Sequence, residues 1–271
     1  DKINYAIDQM NATEGDWQTE LHNRFYENYN NRNLTYTDEE KEIIAEYSAK
    51  AAPLTVVCDP TRYPYSYVES GEVKGILPDY FKALAEYASI SYEFLICDSR
   101  EEYLEYRSNG TADLCIDVRL HTQGGSEIPN SSMTASYLTL RAAMVTRADF
   151  NGEINTVATV EQAANIDDIY AKDAERLVCK TREEAARAVV EGKADAAFLY
   201  YYTAQALVNQ DKSGVLTYTL LEETTYNYHI AVSPQVNHAL AGILTKAIYA
   251  MPNSLIEDIS GQYTSLNIFV Q

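Results

Sequence analysis

Residues 54–251 alternate between short apolar runs and stretches with apolar residues at helical spacing. Residues 54–58 form an apolar run closed by Asp59-Pro60, which is typical of a buried strand. Further strands are predicted over 65–68, 92–97, 113–118, 137–146, 194–199 and 226–232, and helices from about 78 and over 238–251. This order predicts an α/β fold with mostly parallel sheets and helices on their faces.

Four predicted helix starts carry a capping box, in which a hydroxyl residue is followed three positions later by an acid or amide. Both side chains then accept hydrogen bonds from free N–H groups of the first helical turn. The four boxes are Thr37-Asp-Glu-Glu40, Ser99-Arg-Glu-Glu102, Thr159-Val-Glu-Gln162 and Thr181-Arg-Glu-Glu184. The first predicts a helix to about Lys50, and the last predicts one that ends near Gly192.

Residues 1–50 differ in pattern and are predicted to be an N-terminal helical segment and linker. Amphipathic helical stretches cover 2–10 and 17–29, and an Asn-rich link leads to the helix after Thr37. The first stretch resembles residues 244–251, with three of eight positions identical. Two interpretations stay open: the tail of a preceding tandem copy, or two unrelated amphipathic helices that look alike.

Composition restricts the partners and the chemistry. With 40 acidic and 21 basic residues the formal net charge is −19, so the chain repels phosphate backbones and no nucleic-acid partner is expected. The four cysteines form no CxxC pair and have no histidine at zinc spacing, so neither a metal nor a cofactor is expected. A Cys58–Cys97 bridge stays open, because both residues follow strands that are predicted neighbours.

Five sequence signatures follow one another in a fixed order over residues 54–265. They are Val57-Cys-Asp-Pro-Thr-Arg-Tyr-Pro-Tyr-Ser-Tyr-Val68, Gly71-Glu-Val-Lys-Gly-Ile-Leu-Pro-Asp-Tyr-Phe-Lys-Ala-Leu-Ala85, Asp113-Leu114, Ser136-Tyr-Leu-Thr-Leu140 and Glu191-Gly-Lys-Ala-Asp-Ala196. In these signatures the chain resembles the family 3 extracellular solute-binding proteins, which have the type II periplasmic-binding fold. The resemblance implies two α/β lobes joined by two hinge crossovers, with 53–145 and 226–271 as lobe one and 148–222 as lobe two.

The resemblance also implies that the chain binds a small polar solute, amino-acid-like or related, in the cleft between its lobes. Strand ends and helix N-termini converge there. An extracytoplasmic location, at the cell surface or in the periplasm, follows from the same resemblance. The favoured function is the sensor domain of a membrane signalling protein such as a histidine kinase or diguanylate cyclase, because residues 1–32 look like the end of a preceding copy.

Two other functions remain open on the same fold. A receptor of an ABC importer would deliver its solute to a permease, whereas a sensor would act on membrane-anchored signalling domains in its own chain. The third is a dehydratase-type enzyme. Catalysis is not expected, since the four histidines stand in no motif with serine, cysteine or paired carboxylates.

The candidate ligand-binding residues are Tyr65, Arg119, Asp59, Arg62, Tyr137, Thr159 and Tyr200. Tyr65 takes the position of the aromatic residue that stacks on the ligand in the family, and Arg119 is expected to pair with a carboxylate. A surface or hinge salt bridge is the alternative role for Arg119. Tyr200 replaces the aspartate that binds the ligand ammonium in the family, so an aromatic, peptide-like or other polar solute stays open beside a standard α-amino acid.

Overall fold

The computed structural model describes residues 34–48, 53–120, 128, 130–160, 170–252 and 254–265. The helical stretches predicted before residue 34 lie outside the described residues. Within the described ranges the helices are α1 (Asp38–Glu46), α2 (Ile76–Ala88), α3 (Arg100–Asn109), α4 (Arg182–Val190), α5 (Tyr201–Gln210), α6 (Ala239–Ala250) and α7 (Leu255–Thr264). The strands are β1 (Leu54–Val57), β2 (Thr61–Arg62), β3 (Ser66–Glu69), β4 (Glu72–Lys74), β5 (Tyr92–Phe94), β6 (Leu114–Leu120), β7 (Ser132–Met133), β8 (Leu138–Arg147), β9 (Thr156–Val160), β10 (Glu175–Cys179), β11 (Ala196–Tyr200) and β12 (Leu216–Val232).

Within the described ranges, nine strands form one continuous sheet, in the order β10-β9-β11-β8-β12-β6-β1-β5, with β7 paired to β12. Both ends of this sheet are parallel, because β1 is parallel to β5 and β6, and β9 is parallel to β10 and β11. In the middle, β8 and β12 run antiparallel to each other and to their outer neighbours. The predicted α/β architecture is confirmed, but the expectation of mostly parallel sheets is wrong, because antiparallel strand pairs are as frequent as parallel ones in the described part of this sheet. A separate small sheet has the order β2-β3-β4.

The long strands β8 and β12 connect the two halves of the sheet. Ala142 of β8 is the first residue that pairs with β11, whereas Arg141 pairs only with Thr225 of β12. The register between the two strands shifts between Leu220 and Thr225. The chain therefore crosses between the two halves near Arg141 in β8 and near Thr225 in β12. The lobe boundaries given from the sequence stay a prediction.

The largest apolar cluster fills the first half of the sheet and extends into the second half through Val157 and Phe198. α2 buries Ile76, Leu77, Phe81 and Leu84 against one face of the first half, where α6 also packs, and α3 covers the opposite face through Tyr103. The second half has a smaller cluster that α4 and α5 share with the strands. Each half thus has apolar packing of its own, as expected for two lobes.

One of the four predicted capping boxes is complete, at α1, and two others retain the hydroxyl cap. At α1 the Thr37 hydroxyl accepts from the Glu40 N–H at 3.2 Å, and the Glu40 carboxylate accepts from the Thr37 N–H at 2.8 Å. Ser99 and Thr181 cap α3 and α4 in the same way, except that the acid of each box accepts from the N–H one position before the cap. The box predicted at Thr159 is wrong, because Thr159 lies inside β9.

The four cysteines are free and buried, so Cys58 and Cys97 are not bridged. Burial raises the pKa of Cys97 to about 11, which keeps this thiol protonated at neutral pH. Among the described residues there is no group of three or more side chains able to hold a metal ion. In the same ranges no single helix is long and apolar enough to cross a membrane; α6 and α7 pass that test only as a pair bent by 82°.

Gly75 fixes the loop between β2 and β3 against the start of α2. The N–H groups of Ile76 and Leu77 donate to the carbonyls of Pro64 and Tyr65, at 3.0 and 2.9 Å. Gly75 has a φ of +125°, and a Cβ at this position would lie 2.5 Å from the Tyr65 carbonyl oxygen. Only glycine tolerates both the conformation and the approach. Tyr65 is thereby held at the helix start by its backbone.

Replacing Gly75 by alanine is expected to lower the free energy of unfolding by about 3 kcal/mol or more, because backbone strain and a backbone clash add. Gly71→Ala is the matched control: its φ is +76°, but nothing lies within 4 Å of an added Cβ. It should cost only about 1 kcal/mol. Urea denaturation followed by circular dichroism measures both losses, and equal losses would contradict the proposed backbone contact.

Candidate ligand-binding cleft

A group of arginine, aspartate and tyrosine side chains lies where strands of both lobes end. Lobe one contributes residues from the end of β1, the loop around β2, β6 and β12. Lobe two contributes the last residue of β11 and the first residue of α4. Ligands of α/β proteins commonly bind at such strand ends and helix N-termini. We call these residues the interlobe cluster: Asp59, Arg62, Tyr65, Asp117, Arg119, Arg182, Tyr200 and Tyr228.

Arg62 is a buried cation, with 6% of its surface exposed. Its Nη2 donates to the Tyr228 hydroxyl at 2.6 Å, and its Nη1 lies 3.7 Å from Oδ2 of Asp117. Burial disfavours the charge of Arg62, but Tyr228 and Asp117 more than offset this effect and raise its pKa. The guanidinium therefore stays charged inside the protein.

Asp117 accepts hydrogen bonds from several elements of lobe one. Its Oδ1 accepts from the Tyr103 hydroxyl at 2.9 Å and from the Cys115 thiol at 3.2 Å. Its Oδ2 accepts from the Asp59 N–H at 3.1 Å. Because a buried carboxylate is tolerated only when it is paired and hydrogen-bonded, these contacts and Arg62 together explain its burial.

Asp59 fixes the loop that follows β1 by accepting hydrogen bonds with both its carboxylate and its backbone carbonyl. Its carboxylate accepts from the Thr61 N–H at 3.0 Å and the Thr61 hydroxyl at 2.7 Å, and Arg100 of α3 donates to it as well. Its carbonyl accepts from the Ser66 hydroxyl at 2.6 Å. The side chain predicted as a ligand contact thus holds the loop that carries Arg62 and Tyr65.

Tyr65 connects the lobes. Its hydroxyl accepts from the N–H of Tyr202 in the first turn of α5 at 3.0 Å, which satisfies a helix N–H that has no partner within the helix. Its ring stacks on Tyr228 with centroids 6.4 Å apart and an interplanar angle of 12°, and it meets Tyr200 edge-on at 6.3 Å. Only 1% of Tyr65 is exposed. The ring predicted to stack on a ligand therefore packs against other tyrosines.

Arg119 also reaches across the lobes, since its Nη1 donates to the Tyr200 hydroxyl. Its guanidinium lies 5.6 Å from the ring centroid of Tyr200 and 6.0 Å from that of Tyr226. Arg119 is paired in register with Tyr228 of β12, and Tyr200 with Ala142 of β8, so the two side chains flank the crossing strands. Among the described residues no carboxylate lies within 4.0 Å of Arg119. The alternative of a hinge salt bridge finds no acidic partner there.

Arg182 is a site residue that the sequence analysis missed. It is the first residue of α4, and its Nη1 donates to the carbonyl of Thr61 in lobe one at 3.3 Å. Burial lowers the pKa of Arg182, and the charge of Arg62 lowers it further. The available signal was a cation in the first turn of a helix, where the helix dipole opposes positive charge.

Two predicted residues lie outside the interlobe cluster. Tyr137 packs in the core of lobe one, where it stacks on Tyr80 at 4.9 Å and donates its hydroxyl to the Ile116 carbonyl. Thr159 pairs with Val178 of β10 and has no contact with the cluster among the described residues. The structure thus brings together five of the seven candidates, and their roles in ligand binding stay predictions.

Asp117 was also missed, although it lies two residues before Arg119 on the same strand. Alternate residues of a strand share a face, so this spacing was the available signal that both side chains lie on one side of the sheet. Tyr228 carried no comparable signal, because its contact with Arg62 joins residues 166 positions apart.

Removal of the Asp117 carboxylate should strongly destabilise the protein. Asp117→Ala removes the counter-ion of the buried Arg62 guanidinium and the acceptor of the Tyr103 hydroxyl, at a cost of about 3–5 kcal/mol. The control is Asp149→Ala, which removes the exposed partner of Arg147 and should change little. Urea midpoints measure both, and a small loss for Asp117→Ala would contradict the importance of the buried pair.

Alkaline pH should destabilise the fold through the half-buried Tyr226. Burial and the neighbouring Tyr200 raise the pKa of Tyr226 from 10.0 to about 12. The unfolded chain then releases its proton first, so this contribution is complete below pH 10 and is lost as the pH rises toward 12. As the pH is raised from about 9.5 to about 11.5, the urea concentration at the midpoint of unfolding should decrease, and it should decrease less in the Tyr226→Phe variant. An equal fall in both proteins would exclude Tyr226 as a cause.

Comparisons with known proteins bear on the fold. No protein-family model and no curated protein matches the chain. The periplasmic VFT2 domain of BvgS from Bordetella pertussis superimposes with a TM-score of 0.67 at 21% identity, over 84% of this chain and 99% of that domain. A histidine kinase sensor domain with similarity to periplasmic binding proteins gives 0.60 at 16% identity, over 78% and 95% of the two chains.

An amino acid ABC transporter substrate-binding protein gives a similar result. This protein, AbpA from Streptococcus pneumoniae bound to L-arginine, superimposes with a TM-score of 0.61 at 16% identity, over 83% of this chain and 99% of that protein. These similarities span both halves of the nine-stranded sheet. The chain therefore has the two-lobe fold of the periplasmic binding proteins, as predicted.

Proposed function

We propose that this chain binds a small polar solute between its lobes, outside the cytoplasm, as the sensor domain of a membrane signalling protein. The observation that carries the proposal is the interlobe cluster. Charged and hydroxyl groups from both lobes meet there, and one of them, Arg119, has no acidic partner among the described residues. A polar solute that contacts both lobes would stabilise the closed arrangement, because a ligand favours the conformation that it binds more tightly.

The sensor role is supported by the proteins of similar fold. One is the sensor domain of a histidine kinase, and another is a periplasmic domain of BvgS. Closure of the lobes on a solute is a change of conformation that an attached signalling domain can detect. The periplasmic location of the BvgS domain also supports an extracytoplasmic location for this chain.

An ABC importer receptor is the alternative, and the similarity to the AbpA fold favours it. The two functions require the same cleft and differ in what the closed lobes contact. The full-length gene distinguishes them: a membrane-spanning segment followed by a kinase or cyclase domain identifies a sensor, whereas its absence favours the importer. No catalytic role is proposed for the interlobe cluster, and turnover of a bound solute would contradict this.

A thermal-shift screen tests solute binding directly. Amino acids, short peptides, sugars, aromatic acids and dicarboxylates form the panel. A solute that binds only the folded protein raises its stability by RT ln(1 + [L]/Kd), about 2.7 kcal/mol at a hundredfold excess over Kd. If no member of the panel raises the melting temperature, the proposed function is wrong.

For any solute that binds, Arg119→Ala should weaken affinity by about 1–3 kcal/mol, because a ligand group loses its charged partner. Arg187→Ala is the matched control, since Arg187 lies on the exposed face of α4. Isothermal titration calorimetry measures both variants. Unchanged affinity in Arg119→Ala would exclude this side chain from the ligand contact.

A further inference from the structure

The interlobe cluster and its direct partners carry an excess of positive charge, in a chain whose formal net charge is −19. Among the described residues, four guanidiniums meet two carboxylates there, which leaves an excess of two positive charges (four minus two). The guanidiniums belong to Arg62, Arg100, Arg119 and Arg182, and the carboxylates to Asp59 and Asp117. A local charge of this sign in an acidic protein attracts anions into the cleft.

Both carboxylates are already used by lobe one itself. Asp59 is bonded to Arg100 and Thr61, and Asp117 is bonded to Tyr103 and lies beside Arg62. Neither reaches the other two arginines. In the described part of the chain, Arg119 and Arg182 have no carboxylate within 4.0 Å.

The two uncompensated cations come from different lobes. Arg119 belongs to β6 of lobe one, and Arg182 begins α4 of lobe two. Arg182 donates to the carbonyl of Thr61, the residue before Arg62, so closure brings the second lobe's cation next to a buried cation of the first. The lowered pKa of Arg182 reflects its burial first and then this repulsion. Two like charges brought together in a partly dry site oppose closure unless an anion lies between them.

We infer that the cleft binds a small dicarboxylate, with one carboxylate on Arg119 and the other shared by Arg62 and Arg182. The inference rests on the proposed function and specifies its solute class. A planar guanidinium presents paired N–H donors that match both oxygens of a carboxylate, which favours this anion. The second carboxylate then acts as the counter-ion that allows cations of opposite lobes to be buried together.

A charge series on the unmodified protein tests the inference without any variant. Succinate, succinamate and succinamide have nearly the same shape and carry two, one and no negative charges at neutral pH. Titration calorimetry should show succinate, or its longer homologue glutarate, binding at least tenfold more tightly than the corresponding monoamide. The diamide should bind more weakly still. Equal affinity across the series, or a neutral solute that binds best in the wider screen, overturns the inference but leaves the proposed function intact.

The variant Arg182→Gln separates the two carboxylate positions. It should reduce the affinity for the diacid at least tenfold while changing that for the monoamide less than twofold. Arg187→Gln, on the exposed face of the same helix, should change neither. Melting temperatures without solute verify that each variant folds. If Arg182→Gln does not fold, Arg182→Lys replaces it in the test. Because lysine keeps the positive charge, this variant should retain part of the preference for the diacid over the monoamide. Equal losses for diacid and monoamide overturn the role of Arg182, and binding of no solute at all overturns the proposed function itself.

Discussion

Charged groups leave water only when each is paired and its hydrogen bonds are satisfied, and this requirement organises lobe one around Asp117 and Arg62. Both are nearly inaccessible to solvent, with 2% and 6% of their surface exposed. The pair determines where its partners lie, because the carboxylate needs the Tyr103 hydroxyl and the Asp59 N–H, and the guanidinium needs the Tyr228 hydroxyl. Four separate elements of the lobe therefore meet at one point.

The loop that carries Arg62 also forms much of the contact between the lobes. Residues 61–65 accept hydrogen bonds from four groups of lobe two. Arg182 donates to the Thr61 carbonyl, the Thr203 hydroxyl to the Tyr63 carbonyl, the Gln210 amide to the Tyr63 hydroxyl, and the Tyr202 N–H to the Tyr65 hydroxyl. The loop is itself fixed, because Gly75 lets α2 bind its carbonyls and Asp59 bonds Thr61. A rigid loop on lobe one thus offers lobe two a fixed surface to close against.

The sequence predicted most of the framework, because apolar spacing and capping boxes are local signals. It missed the first half of β12, since residues 216–225 are rich in threonine and glutamate and form a strand only through pairing with β8. It extended β5 to Cys97, although the strand ends at Phe94. Tyr65, Arg119 and Tyr200 were identified through the resemblance to the family 3 solute-binding proteins rather than through a local pattern. Tyr137 was misleading because a tyrosine can bury its ring in a core and satisfy its hydroxyl on one carbonyl.

The crossing strands β8 and β12 also determine how the lobes can move. Among the described residues, β11 last pairs with β8 at Ala142 and β6 last pairs with β12 at Asn227, so between the lobes these two strands form a ribbon with no described outer neighbour. A two-stranded ribbon accommodates more twist than a wider sheet. Rotation about the ribbon axis is therefore the soft degree of freedom, and the path along which the lobes approach is built into the backbone. In the proposed function, the chemistry of the solute determines the lifetime of the closed state, while the ribbon determines its geometry.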